Sequence, residues 1–374
     1  MRSFFFALRD LIQFSSIDKS YKEIIFYSEN EKYWPYFKNI IRLILKETNL
    51  KICYISSSHK DPGLKINNKN IKKFFIGMGS IRNYFFSIID SKIVIMTMPD
   101  LGNFQIVKSN SRTKYAYIQH AMMSLHMVYN HRAFDNFDYI FCTGPHQVAE
   151  IRSMEKINNS PKKEIIKLGY TKHDELVIKS KNRNLRTRNP QVLLAPSWGK
   201  NAIIETGKAI EIIDELLNNK FKVLLRPHPQ TLRNNHKLVQ QIRKKFALNN
   251  FFMLDISDDN IDSMLNSNFL ITDWSGIALE YAFALKRPVI FIDTPKKINN
   301  DMYEVVNSPP LEVQLRHKIG VLWNPKESIF SAIRNLENFK TECFDDLAKE
   351  YIFNIGKSDL RFTDFLINFI KKED

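Results

Sequence analysis

Short apolar runs alternate with longer amphipathic segments along most of the chain. Continuous apolar runs of this length predict strands that are buried on both faces of a sheet. Five such runs occur in the first part of the chain, at Lys22–Glu29, Leu50–Ser57, Ser91–Met98, Lys114–His120 and Asp138–Gly144. Residues 33–48 carry apolar side chains at helical spacing. Strands linked by helices in this way are typical of a parallel sheet.

The same alternation restarts after the basic, polar segment Lys179–Pro190, which we interpret as a linker. An amphipathic helix is predicted at Ala209–Asn219. Further strands are predicted at 191–197, 221–227, 251–255, 267–273 and 287–293. We therefore predict an α/β fold in which two doubly wound, Rossmann-like domains face a cleft. The predicted divisions are residues 1–180, residues 188–345 and a C-terminal helical tail at 346–374.

In open α/β sheets, ligands bind beyond the carboxyl ends of the strands. One predicted strand runs directly into Arg226-Pro227-His228-Pro229. The prolines restrict the backbone on both sides of the histidine, and the guanidinium of Arg226 has a planar fork suited to phosphate. We interpret this turn as a phosphate clamp in which His228 donates a hydrogen bond or a proton. The alternative is a strand-end turn whose histidine is merely exposed.

A second predicted strand ends at Thr272 and Asp273, and a tight turn with Ser275 and Gly276 leads into a helix. A helix start offers free N–H groups and a positive dipole end, and Gly276 lets a ligand approach the backbone. This turn is therefore a candidate phosphate site, although Asp273 or Ser275 could instead cap the helix. Glu280, one turn into the helix, could reach a ribose hydroxyl or lie in solvent.

A third predicted strand ends at Gln119 and His120. His120 is the candidate general base at neutral pH, and a hydrogen-bonded structural histidine is the alternative. Ser197 also closes a predicted strand and joins the candidate donor-binding residues. His126 and His131 follow His120 at spacings that do not share one helix face, unlike typical metal ligands. We predict neither a metal site nor a cofactor.

Composition indicates which kinds of partner the protein binds and in which cell compartment it lies. The 55 Lys and Arg residues exceed the 40 Asp and Glu residues by 15, and such a surplus favours anionic partners. The cysteines Cys53, Cys142 and Cys343 are too scattered for a disulfide framework or a zinc site, so a reducing cytoplasm is expected. No window approaches the ~20 apolar residues of a spanning helix, and the first apolar run is too short for a signal peptide.

Six short motifs occur in the order found in one family of transferases. They are "YIQHAMM" at 117–123, "FDNFDYIFCTG" at 134–144, "LGYTKHDEL" at 168–176, "LLAPSW" at 193–198, "RPHP" at 226–229 and "TDWSG" at 272–276. Over roughly residues 110 to 295 the chain thus resembles the CDP-glycerol glycerophosphotransferases, which include teichoic-acid-type primases and polymerases. The resemblance implies a two-domain glycosyltransferase-B fold whose second half binds most of the nucleotide. It also implies that His120 activates the acceptor and that His228 and Ser275 contact the donor's phosphates.

Several positions depart from the family's motifs. Ala121 stands where the family has Gly, and Trp274 and Gly276 replace Tyr and Ser. Thr171 replaces the Pro of the family's Gly-x-Pro-Arg-x-Asp turn. Residues 275–290 also resemble general sugar-nucleotide transferases, in which a glutamate at the position of Glu280 holds the ribose. These departures bear on the donor and the acceptor more than on the fold.

The resulting hypothesis is a transferase that moves glycerol phosphate, or a related polyol phosphate, from a CDP-linked donor to a hydroxyl of a cell-surface glycan or lipid-linked acceptor. The runner-up is a nucleotide-sugar glycosyltransferase of the same fold in capsule or lipopolysaccharide synthesis. A non-catalytic, membrane-associated scaffold is a further alternative. A nucleic-acid partner is disfavoured, because no helix-turn-helix, zinc-finger or aromatic RNA-binding signature occurs.

The first residues also suggest a hypothesis about where in the cell the protein lies. The apolar residues that can cover one broad side of a first helix, near Arg2 and Arg9, are Phe4, Phe5, Phe6, Leu8, Leu11, Ile12 and Phe14. They could contact anionic lipid, where each surface Lys or Arg contributes ~1 kcal/mol, or they could pack on the core. We expect a cytoplasmic protein held on the inner face of the cell membrane.

Overall fold

The computed structural model describes residues 2–103, 106–181, 189–324 and 326–373, apart from the side chain of Arg2. Residues 182–188, most of the predicted linker, lie outside the described residues. Two parallel β-sheets follow one another along the chain, and helices flank both. We call residues 2–181 the first half and residues 189–337 the second half.

The first sheet contains seven strands within the described residues. They are β1 (Ile24–Ser28), β2 (Ile52–Ser56), β3 (Ile71–Phe75), β4 (Ile93–Met96), β5 (Lys114–Ile118), β6 (Tyr139–Cys142) and β7 (Glu164–Lys167). Their spatial order is β3-β2-β1-β4-β5-β6-β7, and every neighbouring pair is parallel. The helices of this half are α1 (Arg2–Ser16), α2 (Lys19–Lys22), α3 (Trp34–Glu47), α4 (Ser80–Ile88), α5 (Leu125–Val128), α6 (Pro145–Ile157) and α7 (Thr171–Ser180).

The second sheet contains six strands within the described residues. They are β8 (Gln191–Leu194), β9 (Lys222–Leu225), β10 (Phe252–Leu254), β11 (Phe269–Thr272), β12 (Val289–Ile292) and β13 (Gly320–Trp323), in the order β10-β9-β8-β11-β12-β13. The helices that follow β8 are α8 (Lys208–Asn218), α9 (Pro229–Asn234), α10 (His236–Lys245), α11 (Ile261–Leu265), α12 (Ile277–Leu285), α13 (Leu311–Ile319), α14 (Ile329–Glu337), α15 (Phe344–Tyr351) and α16 (Ser358–Glu373).

Both sheets are doubly wound, because the strand order reverses near the middle of each. The reversal falls between β1 and β4 in the first sheet and between β8 and β11 in the second. The strands at these positions are buried on both faces, in agreement with their continuous apolar sequences. A reversal of this kind opens a crevice at the carboxyl ends of the two flanking strands.

The last helix, α16, returns to the first sheet after the second sheet is complete. Its apolar side packs on α3 and on the sheet, and the ring of Phe362 lies 6.0 Å from that of Phe26 and 4.7 Å from that of Phe141. The entry to the helix is fixed by Asp174, whose carboxylate accepts hydrogen bonds from the backbone N–H groups of Gly356 and Ser358 at 2.7 and 3.1 Å. The chain therefore crosses between the two halves a second time.

The first helix divides its apolar residues between the core and the surface. Leu11 and Phe14 are buried against the first sheet, and Asp10 accepts a hydrogen bond from the backbone N–H of Phe75 at 2.9 Å. By contrast, Phe5 and Ile12 are each 63% exposed, and Phe4, Phe6 and Leu8 are exposed as well. The buried residues of α1 thus match the predicted packing on the core, and the exposed ones remain available for the predicted contact with lipid. None of the described helices combines the length and apolar composition needed to span a bilayer.

Polar contacts tie the two halves together behind the cleft. Glu312 on α13 is buried, and its carboxylate accepts hydrogen bonds from the backbone N–H and the hydroxyl of Ser124 in the first half, at 3.0 and 2.7 Å. Burial raises the pKa of Glu312 to about 7, although the hydrogen bonds from Ser124 oppose the shift. Helices α7 and α12 also pack against one another across the boundary.

Candidate active site

A cleft of about 1150 Å³ lies between the two halves. Residues 29–33 and 99–100, which follow β1 and β4, line it from the first half. Residues 197–198 and 275–276, which follow β8 and β11, line it from the second half. Both points of strand-order reversal therefore open into one cavity, where ligands of doubly wound sheets bind. Its volume is sufficient for a nucleotide-sized ligand.

His120 follows β5 and lies among tyrosines in the wall of the first half. The ring centroids of Tyr33, Tyr36 and Tyr129 lie 5.4, 6.1 and 6.0 Å from that of the imidazole. The hydroxyl of Tyr117 lies 3.4 Å from Nδ1, and that of Tyr129 lies 3.5 Å from Nε2. Burial lowers the pKa of His120 to about 4, so the ring is neutral at pH 7. An anionic ligand beside it would raise this pKa and strengthen the imidazole as a base.

His228 faces the same cleft from the second half. Its Nδ1 accepts a hydrogen bond from the backbone N–H of Gln230 at 3.1 Å, and its ring stacks at 6.0 Å on that of Trp198. Because Nδ1 accepts, the neutral ring carries its proton on Nε2. Burial lowers the pKa of His228 well below its usual value, and the charge of Lys297 adds to this effect. The ring is thus neutral and can donate one hydrogen bond from Nε2.

The start of α12 is open to the cleft. Gly276 occupies the N-cap position, and no described side chain caps the helix, so the predicted capping by Asp273 or Ser275 is not observed. Ser275 and Gly276 both line the cavity. A Cβ atom at position 276 would lie 3.0 Å from the sulfur of Met123 and 3.7 Å from the Cβ of Ala121. The first half therefore approaches this helix start closely, and a side chain at position 276 would crowd Met123.

Thr272 and Asp273, two of the predicted donor-binding residues, are buried and committed to the protein. The hydroxyl of Thr272 donates to the carbonyl of Ala195 at 2.7 Å. The carboxylate of Asp273 accepts from the backbone N–H groups of Ser197 and Trp274 at 2.6 and 2.7 Å. Both side chains thus fix the loops that follow β8 and β11 without lining the cleft. Ser197, also predicted, does line it.

Arg226 lines the cleft, and part of its guanidinium is bound to the protein. It forms an ion pair with Asp255 at 2.5 Å and donates to the hydroxyl and the carbonyl of Ser257 at 2.9 and 2.8 Å. These contacts hold the segment after β10 against the segment after β9. They use three of the five N–H donors of the guanidinium, so the predicted contact with phosphate stays a prediction for the remaining two.

Glu280 also lines the cleft, and it is held by two residues of the first half. Its carboxylate lies 2.9 Å from the ammonium of Lys172 and accepts a hydrogen bond from the hydroxyl of Tyr170 at 2.7 Å. Burial opposes the charge on Lys172, but the adjacent carboxylate raises the pKa of this lysine overall. Glu280 therefore does not lie in solvent. A ribose hydroxyl that binds Glu280 would share its carboxylate with Lys172 and Tyr170.

Several charged residues of the cleft were not singled out from the sequence, among them Asp100, Lys172 and Lys297. Asp100 comes two residues after a predicted strand, which was a usable signal, and burial raises its pKa. Lys172 lies inside a recognised motif, at the position of the family's Arg. Lys297 follows the strand predicted at 287–293, but nothing in its local sequence marks it.

The remaining predicted histidines lie away from the cleft. His126 is buried on α5, where its Nδ1 lies 3.3 Å from the carboxylate of Glu150, and His131 is exposed. Within the described ranges, no group of three or more His, Cys, Asp and Glu side chains is arranged to hold a metal ion.

The fold and the cleft define the class of protein. Three solved structures that cover nearly the whole chain are similar to it: the UDP-GlcNAc 2-epimerase from Methanocaldococcus jannaschii in complex with UDP-GlcNAc and UDP, that from Neisseria meningitidis bound to UDP-GlcNAc, and a glycosyltransferase from Rickettsia africae. Their identities are 16%, 12% and 12%, and their TM-scores are 0.55, 0.56 and 0.51. The matches cover 92%, 92% and 93% of this chain and 99%, 99% and 98% of theirs. At these identities they show the fold alone, and the predicted glycosyltransferase-B type of α/β fold is confirmed.

The match of the sequence to a family model identifies the family. The model of the CDP-glycerol:poly(glycerophosphate) glycerophosphotransferase family matches residues 10–300, which is more than half of the chain. The chain belongs to this family, so the resemblance drawn from the six motifs is confirmed, and the protein is a transferase. No curated protein matches the sequence.

Proposed function

We propose that this transferase moves glycerol phosphate, or a related polyol phosphate, from a CDP-linked donor to a hydroxyl of a cell-surface glycan or lipid-linked acceptor. The observation that carries the proposal is the pair of neutral histidines, His120 and His228, which face one cleft from opposite halves. Family membership supports the choice of donor. The nucleotide-bound structures of similar fold support a nucleotide-linked donor in general.

In the proposed reaction, the acceptor oxygen forms a bond to the phosphorus that carries the glycerol. The bond from this phosphorus to the bridging oxygen breaks, and its electron pair leaves with CMP. His120 takes the proton of the acceptor hydroxyl, and Nε2–H of His228 donates to a phosphate oxygen. Ser275, Gly276 and Ser197 contact the phosphates through hydroxyl and backbone groups, while Glu280 borders the ribose.

The assignment of His120 is tested by separating donor binding from transfer. His120→Ala should lower turnover by about 10²-fold or more, because one general base contributes 10²–10⁴-fold. The affinity for CDP-glycerol should stay within about twofold, since the imidazole belongs to the acceptor side. Equal losses of affinity and turnover would contradict the role of acceptor base.

Product analysis tests the reaction type. Incubation with radiolabelled CDP-glycerol and a polyol-phosphate primer should give a phosphodiester that alkaline hydrolysis cleaves. A glycosidic product from a nucleotide sugar would instead establish the alternative, a nucleotide-sugar glycosyltransferase in capsule or lipopolysaccharide synthesis. A nucleotide panel in a thermal-shift assay adds a rapid check: CDP-glycerol and CMP should stabilise the protein more than UDP or GDP.

We further propose that α1 holds the protein on the inner face of the cell membrane. The support is the exposed apolar side of α1, with Phe5 and Ile12 outward. The exposed guanidinium of Arg9 lies beside it and pairs with Asp10 at 2.7 Å. The formal charge of +15 favours anionic lipid in the same way. Phe5→Ser/Ile12→Ser should reduce sedimentation with anionic vesicles at low salt and leave thermal stability unchanged. A wild-type protein that ignores such vesicles would refute the location.

A further inference from the structure

The loop after β12 reaches across the mouth of the cleft and is tied to both halves. The indole N–H of Trp274 donates to the carbonyl of Thr294 at 2.9 Å, within the second half. Asn299 donates to the carbonyls of Met127 and Val128 in the first half, from its backbone at 3.0 Å and its side chain at 2.7 Å. Lys297 lies between these two anchors, so the backbone that carries it is fixed in position.

The ammonium group of Lys297 is directed into the cleft. It lies 4.1 Å from the ring centroid of Trp198, the same indole on which His228 stacks. Stacking on an aromatic face orients a cation without occupying its hydrogen-bond donors. Lys297 is also close enough to His228 to disfavour a second positive charge there. The lysine and the histidine thus converge on one part of the cavity.

The donors of this ammonium group are unused, unlike those of two other cations in the cleft. Among the residues that the structure describes, no carboxylate lies within 4.0 Å of the Lys297 nitrogen. Arg226 is paired with Asp255, and Lys172 is paired with Glu280. A half-buried ammonium whose three donors lack partners is poorly compensated, and a phosphate would supply the missing acceptors.

We propose that Lys297 binds the phosphate of the leaving nucleotide and stabilises the charge that develops on it during transfer. This inference rests on the proposed function, because it takes CMP, a nucleoside monophosphate, as the donor's leaving portion. When the bond to the bridging oxygen breaks, that oxygen becomes part of CMP and carries an additional negative charge. An ammonium beside the oxygen stabilises this charge more than the charge of the intact donor, which is the condition for catalysis.

The protonation of Lys297 gives the proposal a measurable signature. Burial lowers the pKa of this lysine to about 8, while the carboxylates of Asp273 and Glu205 oppose the shift. The nearby His228 is neutral in this range, since its own pKa lies well below the usual value. Lys297 is therefore charged below pH 8 and loses its charge above it, so nucleotide affinity should fall as the pH rises through about 8.

The test compares Lys297→Met and Lys297→Arg with Lys296→Met, a matched control because Lys296 is exposed in the same loop. CDP and cytidine are titrated calorimetrically from pH 6.5 to 9.5. Lys297→Met should bind CDP at least tenfold more weakly at pH 7 and bind cytidine normally, and its turnover should fall by about 10²-fold. Above pH 8 the wild type should lose affinity for CDP, up to tenfold per pH unit, while Lys297→Arg should not.

Two results would overturn the proposal: wild-type affinity of Lys297→Met for CDP, or an unchanged loss of affinity above pH 8 in that variant. Far-UV circular dichroism and thermal unfolding establish that each variant is folded. A failure of the proposed function is distinguishable from either result. If the wild type binds UDP in preference to CDP and Lys297→Met weakens UDP equally, the cytidine donor is wrong while the role of Lys297 stands.

Discussion

The ion pair between Lys172 and Glu280 yields a prediction about stability. The two charged groups lie 2.9 Å apart on opposite halves, and each side chain is only 6% exposed. Replacing Lys172 by Met preserves most of its length and removes the charge, so the carboxylate of Glu280 stays buried with only the hydroxyl of Tyr170 as a partner. Breaking one side of a buried pair costs about 3–5 kcal/mol, and we expect Lys172→Met to lower the unfolding free energy by this amount.

Urea unfolding at pH 7, followed by circular dichroism, measures this loss. The double variant Lys172→Met/Glu280→Gln should recover part of it, because the amide carries no uncompensated charge. Lys179→Met is the matched control, since Lys179 lies on the same helix and its pair with Glu175 is exposed on the lysine side. That control should lose less than ~1 kcal/mol. A Lys172→Met variant no less stable than the control would refute the reasoning.

Three further predictions concern single residues. His228→Ala should reduce turnover by about 10²-fold or more, and near-normal turnover would remove it from the mechanism. The variant should still fold with a loss of about 0.5–2 kcal/mol in unfolding free energy, because Nδ1 of His228 caps the start of α9. Gly276→Val should weaken CDP binding more than Ser275→Ala, because its side chain meets Met123 and blocks the helix start; equal affinities would contradict this. Glu312→Gln should flatten the pH dependence of stability. Because the pKa of Glu312 is raised to about 7 in the folded protein, the unfolding free energy of the wild type should fall by about 3 kcal/mol relative to that of the variant as the pH rises from 4.5 to about 7. Urea unfolding at both pH values measures this difference, and an equal pH dependence in the two proteins would refute it.

The strands in the middle of each sheet could be predicted from sequence, and three outer strands could not. β1 and β2 are apolar at nearly every position because helices cover both faces. β3 carries Lys72 and Lys73 at its centre, since an edge strand has solvent on one side. β7, at the other edge of the first sheet, and β13, at one edge of the second sheet, are partly exposed for the same reason. Burial on both faces produces the readable pattern, so these three edge strands escape it. The edge strand β10 was still predicted, at 251–255, because residues 251–254 are all apolar.

The candidate site likewise has a part that could be predicted from the sequence and a part that could not. The positions of His120, His228 and Ser275 follow from strand ends and turns, which are local properties of the sequence. The partners of Arg226 and Glu280 are not local, because these ion pairs join segments that only the folded chain brings together. A pattern of residue types identifies a side chain that is able to bind phosphate, but not one that already has a partner.

The return of α16 to the first sheet has a consequence for the order in which the protein can fold during synthesis. The ribosome completes every strand of both sheets before it makes this helix, so the face of the first sheet around Phe26 and Phe141 stays uncovered until then. Domains made early usually fold while later ones are still being synthesised. Here the first half must wait for, or rearrange around, Phe362 and its neighbours. A fragment of residues 1–181 should therefore expose apolar surface, and residues 344–373 supplied as a separate peptide should cover it.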